Sequence, residues 1–211
     1  MSSHMVTDQQ VERDLLALMA MPDEEIDTAD ISETVRPTSA AVGRYSGLAS
    51  RNYDVRAIAN WCLRKAKIAN VEPTNMWLNK LVYFIYEKAL RDFHILLTPA
   101  RVEAWDHGPV FREIYSSFLR RNPSGLFEYY NVRFRNRQIA DEPFESVDIS
   151  IFEAVWEQYG HRSASALRNI SHSRGSPWHS VWMSKGHANP GMEIDIGTIL
   201  GRNTDQIDGN P

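Results

Sequence analysis

The chain has 211 residues, of which 43% are apolar and 24% charged, with a formal net charge of −4. This balance fits one folded domain with a short appended segment, and it excludes a disordered chain or two ordinary enzyme domains. A single cysteine, Cys62, excludes an internal disulfide and any zinc site built from several thiolates.

No apolar run is long enough to span a bilayer, and no basic start with a greasy stretch opens the chain, so a soluble, cytoplasmic protein without a membrane partner is expected. Charge is unevenly spread. Residues 1–35 hold nine acids (Asp8, Glu12, Asp14, Asp23, Glu24, Glu25, Asp27, Asp30, Glu33) against Arg13, which makes that stretch −8 and the remainder +4. The pattern is an acidic arm on a slightly basic body.

Met1 to Met5 read as a remnant of recombinant expression and carry no weight in the fold. Thr7 and Gln10 form a capping box, and Val11, Leu15, Leu18 and Met19 recur at helical spacing, predicting an amphipathic helix over residues 8–20 that Pro22 ends. From Asp23 to Ser50 no periodicity survives, and Pro37, Gly43 and Gly47 punctuate a linker. The expected division is therefore an acidic extension over 1–50, a body over 51–201 and a frayed tail over 202–211.

Asp54 caps a second predicted helix, whose Val55, Ile58, Ala59, Cys62, Leu63 and Ala66 hold one face and place Cys62 in the core as a small hydrophobe. After Pro73, with Thr74 as cap, residues 75–91 are so apolar that they read as the central helix. Residues 100–107 are short and mixed. Gly108-Pro109 reads as the start of a helix running to about Arg121, because proline at the first helical position loses no needed N–H.

The turn at Asn122–Gly125 precedes alternation of Tyr130, Val132 and Phe134 with Arg133, Arg135 and Arg137, which predicts one strand. Two segments compete as its partner, residues 139–144 and 102–105. Phe152, Val155, Trp156 and Tyr159 mark a further helix, opened by acids near Asp148 and closed at Gly160. Ser163 caps a short helix to about His172, Pro177 opens one through Trp182, and Ile194, Ile196, Ile199 and Leu200 finish the body. The expected fold is mainly α: a single multi-helix domain of six or seven helices with a small β hairpin or short sheet, preceded by the acidic extension.

Phosphate-loop, dinucleotide-binding, nucleophile-elbow and H-E-x-x-H patterns are all missing, which weighs against nucleotide-driven and common hydrolytic chemistry. His161, His172, His179 and His187 gather in the last third, but no carboxylate lies between Glu157 and Glu193 to complete a metal site. No catalytic residue, metal or cofactor is expected. Arg133, Arg135 and Arg137, projecting from one side of the predicted strand at about 6.5–7 Å intervals, form with Arg112, Arg120 and Arg121 a candidate basic face. Such a face suits a solvated edge, an acidic protein partner or a phosphate backbone. Trp105, Trp156, Trp178 and Trp182 sit among apolar residues and read as core anchors rather than a stacking platform.

Leu78-Asn79-Lys80-Leu81-Val82-Tyr83 and, some twenty residues on, Glu103-Ala104-Trp105-Asp106-His107-Gly108-Pro109-Val110 resemble the Panacea domain, the SocA-like antitoxin domain. Tyr159-Gly160, Ser163-Ala164, Leu167, Ser171-His172 and Pro177-Trp178 are similar to the family's C-terminal half, with Ser171 where a Thr is usual. The likeness spans roughly residues 54–200. It implies scaffold roles for Leu78, Lys80, Leu81, Tyr83, Trp105, Gly108, Pro109, Val110, His172, Pro177 and Trp178: Trp105 filling the core, Gly108 allowing a tight turn, Pro109 starting a helix that Val110 and Ile114 hold down.

The resemblance also implies a non-enzymatic antitoxin of a bacterial or phage toxin-antitoxin pair. The implied partner is a cognate protein toxin, with delivery to a cellular protease as an alternative. Operator DNA bound through the arginine face is the competing partner, and the oligomeric state is open. Within the extension, Val11, Leu15, Leu18 and Met19 offer an apolar stripe, flanked by Asp14, Glu24 and Glu25, for docking on a toxin with a basic active site.

Overall fold

The computed structural model describes residues 47–131, 133, 135–184 and 192–201. The helix expected over 8–20, the linker that follows it, His187 and the tail from Arg202 lie outside the described residues. Among those described, seven α-helices and one 3₁₀ turn surround three small sheets, which bears out a mainly α chain but spreads its β content over three places.

Strand β1 (Ala49–Ser50) pairs in parallel with β2 (Ile95–Leu96) and leads into α1 (Val55–Ile68). Asp54 caps α1 as expected, its Oδ1 accepting from the Arg56 amide at 2.9 Å. The predicted apolar face is buried. Cys62 is wholly enclosed, and loss of solvent holds its thiol well above the ordinary range, consistent with a packing role.

Helix α2 (Asn75–Phe93) is the central element, packed by α1, by the strand Gly108–Phe111 and by the helices Ser146–Tyr159 and Ala164–Ser171. The Thr74 hydroxyl accepts from the Trp77 amide at 3.1 Å, and His94 ends the helix in the left-handed region at φ 58°. Leu78, Leu81, Val82, Ile85 and Leu90 are all fully enclosed. At about 1.5–3 kcal/mol per large aliphatic side chain, this helix is the main hydrophobic anchor of the body.

Strands β3 (Val102–Trp105) and β4 (Gly108–Phe111) form a hairpin through Asp106-His107, and β7 (Met192–Glu193) adds to the outer side of β3. This corrects the expected helix from Pro109 to Arg121. Pro109 lies in β4 opposite Ala104, and β4 is an edge strand, where a residue without an N–H is tolerated. The helix starts later, as α3 (Arg112–Ser117), and tightens into a 3₁₀ turn at Phe118–Arg120.

A second hairpin, β5 (Glu128–Asn131) and β6 (Asn136–Ile139), corrects the single strand expected across residues 130–137. Segment 102–105 pairs elsewhere. The alternating stretch runs across the end of β5 and the four residues that join it to β6, and no Gly or Pro among those four marks a turn; Arg135 lies there at φ 52°.

Helix α4 (Ser146–Tyr159) is stopped at Gly160, whose amide reaches the Trp156 carbonyl at 2.7 Å. Ser163 caps α5 (Ala164–Ser171), Pro177 opens α6 (Pro177–Ser184), and Asp195 caps α7 (Ile196–Ile199). No helix of the described residues is long and apolar enough to cross a membrane.

Candidate functional site

The two motif blocks are joined where α2, the β3–β4 hairpin, the end of α5 and the start of α6 meet. Lys80 points from α2 into this junction and is only 1% exposed. Its Nζ donates to the Pro109 carbonyl at 2.9 Å. Burial, with a smaller contribution from nearby Arg168, lowers the Lys80 pKa to about 7.

Gly108 makes the close approach possible. Its φ of +99° favours a residue without a side chain, and a Cβ there would lie 2.7 Å from Lys80 Cε, 2.7 Å from Ser171 Oγ and 3.1 Å from His172 Nε2. The His172 ring lies flat on Trp178, with centroids 3.7 Å apart and planes 9° from parallel. Trp178 in turn donates from Nε1 to the Trp105 carbonyl at 2.8 Å, tying α6 to the hairpin. Burial lowers the His172 pKa to about 4, with Arg168 and Lys80 acting in the same direction. At neutral pH His172 is therefore an uncharged stacking ring.

Asn79 fastens the other side of the hairpin. Its Oδ1 accepts from the Phe111 amide at 2.9 Å, while its Nδ2 donates to Asn75 Oδ1 at 2.8 Å. That capture of the Phe111 N–H sets the strand-to-helix transition before α3.

The sequence model of the antitoxin SocA-like, Panacea domain matches residues 78–179, the span that builds this junction. Antitoxin SocA of Caulobacter vibrioides (strain NA1000 / CB15N) is 30% identical over 159 residues, covering 70% of this chain and 77% of that protein. The chain belongs to this antitoxin family. No solved structure matches it.

In this Panacea chain Leu78, Leu81 and Tyr83 lie in the core of α2, and Val110 is buried in β4. Trp105 departs from the expected core position. It is half-buried at the rim, tilted against Tyr115 at 4.7 Å and donating from Nε1 to Glu103 Oε2 at 2.8 Å. An indole beside a buried carboxylate is better satisfied there than in an apolar interior. Trp178 and Trp156, each 6% exposed, occupy the core instead, and Trp182 is half-buried, stacked on Trp178.

The six arginines of the expected basic face are not one array. Arg112 pairs with Glu103 at 3.1 Å, and Arg121 lies 3.8 Å above the Phe118 ring. Arg120 is exposed at the end of the 3₁₀ turn. Arg133 and Arg135 lie in the β5–β6 turn, and of the three predicted strand positions only Arg137 is in a strand. Val11, Asp14, Leu15, Leu18, Met19, Glu24 and Glu25 lie outside the described residues.

Two buried polar groups escaped the sequence reading. Asn60, fully enclosed on α1, accepts from the Phe127 amide at 2.7 Å and donates to the Ala140 and Phe127 carbonyls at 2.7 and 3.0 Å, pinning the base of the β5–β6 ribbon. Asp148, also enclosed, accepts from Tyr53 Oη at 2.7 Å and Arg51 Nε at 2.9 Å, holding the start of α4 to the entry of α1. The signal for Asn60 was weak but present, since asparagine is a poor residue for a helix interior without a specific bond. At the Panacea junction Lys80 and Trp178 are hydrogen-bonded across elements, whereas His172 Nε2 is buried without a hydrogen-bond partner among the described residues.

Proposed function

We propose that this protein is the antitoxin of a bacterial or prophage toxin-antitoxin pair and neutralises its protein toxin by direct binding that covers the toxin's active site. The similarity to Antitoxin SocA, together with the match of residues 78–179 to the Panacea domain, carries the reading. The junction is compatible with it: Lys80 is bonded to the Pro109 carbonyl beside Gly108, and His172 is stacked on Trp178, and the reading assigns these residues scaffold roles. The acidic extension supplies a first contact, with Val11, Leu15, Leu18 and Met19 as the apolar stripe and Asp14, Glu24 and Glu25 meeting basic groups of the toxin.

Co-expression tests this. The product of the reading frame adjacent to this gene is expected to arrest growth when expressed alone and to be harmless beside the full chain. A version starting at Gly47, which keeps β1 and the Arg51–Asp148 contacts, is expected to fold and to lose protection. Full protection by that version would remove the extension from the contact, and a neighbouring product harmless on its own would remove the antitoxin reading for this pair.

A further inference from the structure

The β5–β6 ribbon is a two-stranded sheet whose base is fixed and whose outer edge is not paired with any strand among the described residues. Its register shows which backbone groups face outward. Ala140 donates to the Phe127 carbonyl at 3.0 Å, and the Asn60 amide fills the place of the reciprocal bond between Phe127 and Ala140. Hydrogen-bonded pairs alternate with non-bonded pairs along an antiparallel ladder. Tyr129 with Gln138, and Asn131 with Asn136, are then the bonded pairs; Glu128 with Ile139, and Tyr130 with Arg137, are the non-bonded ones. The N–H and C=O groups of Arg137 and Ile139 therefore point away from β5.

This edge is solvent-facing. Asn136, Arg137 and Ile139 are exposed, Ile139 by 41%. The charge along it is polarised. Arg135 and Arg137 stand at and near the tip, and Asp141 at the base pairs with Arg64 at 2.9 Å.

We propose that the outer edge of β6 is a docking edge for an extended, acidic segment of the toxin, which adds a third strand to the ribbon. The backbone groups of Arg137 and Ile139 supply the ladder bonds, Ile139 an apolar contact, and the arginines at the tip select acidic side chains opposite them. This rests on the antitoxin reading above and names a surface on the body for that contact. The basic stretch thereby has a protein strand, not a phosphate backbone, as its counterpart.

The test uses the full chain and the product of the adjacent reading frame. Amide exchange is measured on the chain alone and in the complex; Arg137 and Ile139 are expected to slow at least tenfold, with smaller change at Gln138, whose amide already bonds β5. Ile139→Pro removes an outward N–H without removing a ladder bond of the ribbon, and is expected to weaken binding about tenfold or more. Arg137→Glu, a surface change checked by its unfolding midpoint, is expected to weaken it to a similar degree and most strongly at low salt.

Wild-type binding and neutralisation with unchanged exchange at Arg137 and Ile139, and with both variants within twofold of wild type, would overturn the edge while leaving the antitoxin reading intact. The same outcome joined to loss of binding to the gene's own promoter DNA in Arg137→Glu alone would assign the ribbon to phosphate contact and equally overturn it. Failure of the wild-type chain to bind the neighbouring product would overturn both.

Discussion

Replacing Lys80 with methionine isolates the electrostatic cost stored at the motif junction. The side chains are close in length, so the core stays filled while the ammonium and its bond to the Pro109 carbonyl are lost. In the unfolded chain Lys80 titrates near its ordinary 10.5, and in the folded protein near 7. Below pH 7 both states hold the proton, and the folded state bears the full burial cost. Between pH 7 and 10.5 the unfolded state binds more protons than the folded one, so stability rises with pH.

At about 1.4 kcal/mol per pH unit, the difference in stability between Lys80→Met and wild type should shift by about 3 kcal/mol between pH 6 and pH 9.5. Loss of the bond to Pro109 costs the variant about 1–3 kcal/mol at every pH. The variant is therefore expected to be as stable as wild type or more so at pH 6, and less stable at pH 9.5. Urea unfolding of both proteins at the two pH values checks this, and groups not coupled to Lys80 cancel in the comparison. An equal stability difference at both pH values would refute the account of Lys80 as a buried amine that loses its proton near neutral pH in the folded state.

Gly108→Ala should lose about 2–4 kcal/mol, because it combines an unfavourable positive φ with overpacking against Lys80 and Ser171; thermal unfolding checks it, and a loss below 1 kcal/mol would mean that the junction is looser than described. Asn60→Ala should cost about 2–4 kcal/mol by leaving the Phe127 amide and the Ala140 carbonyl buried without partners. Its distinguishing sign is faster amide exchange in residues 127–140 relative to α2, and uniform exchange would contradict the pinning role.

What was legible in the sequence was whatever local chemistry alone decides. Asp54, Thr74 and Ser163 accept from the amides expected of caps, and the α1 and α2 faces bury the residues their periodicity marked. Misreadings arose where one pattern serves two structures. Gly-Pro opens a helix or occupies an edge strand, and only the capture of the Phe111 amide by Asn79 decides between them. A short run of period two, Tyr130 to Phe134, reads as one strand although it crosses the connection of a hairpin that no Gly or Pro marks and in which Arg135 takes the left-handed region.

The same limit applies to the site. The resemblance implied no more than a scaffold role for Lys80; its burial depends on Gly108, distant in sequence, which leaves room for it. Trp105 and Trp178 are indistinguishable by composition. Both read as core anchors, and only Trp105 departs, because Glu103 holds its indole at the rim while Trp178 is buried against His172.

The most direct measurement of the central claim is titration of the purified product of the adjacent gene, in an assay of its own activity, with the purified full-length chain and no other protein. Occlusion predicts activity that falls in proportion to the chain added and reaches zero once the toxin is saturated, with both proteins intact afterwards. Inactivation by far less than an equivalent amount, or activity that persists at saturation until a protease is supplied, would contradict it.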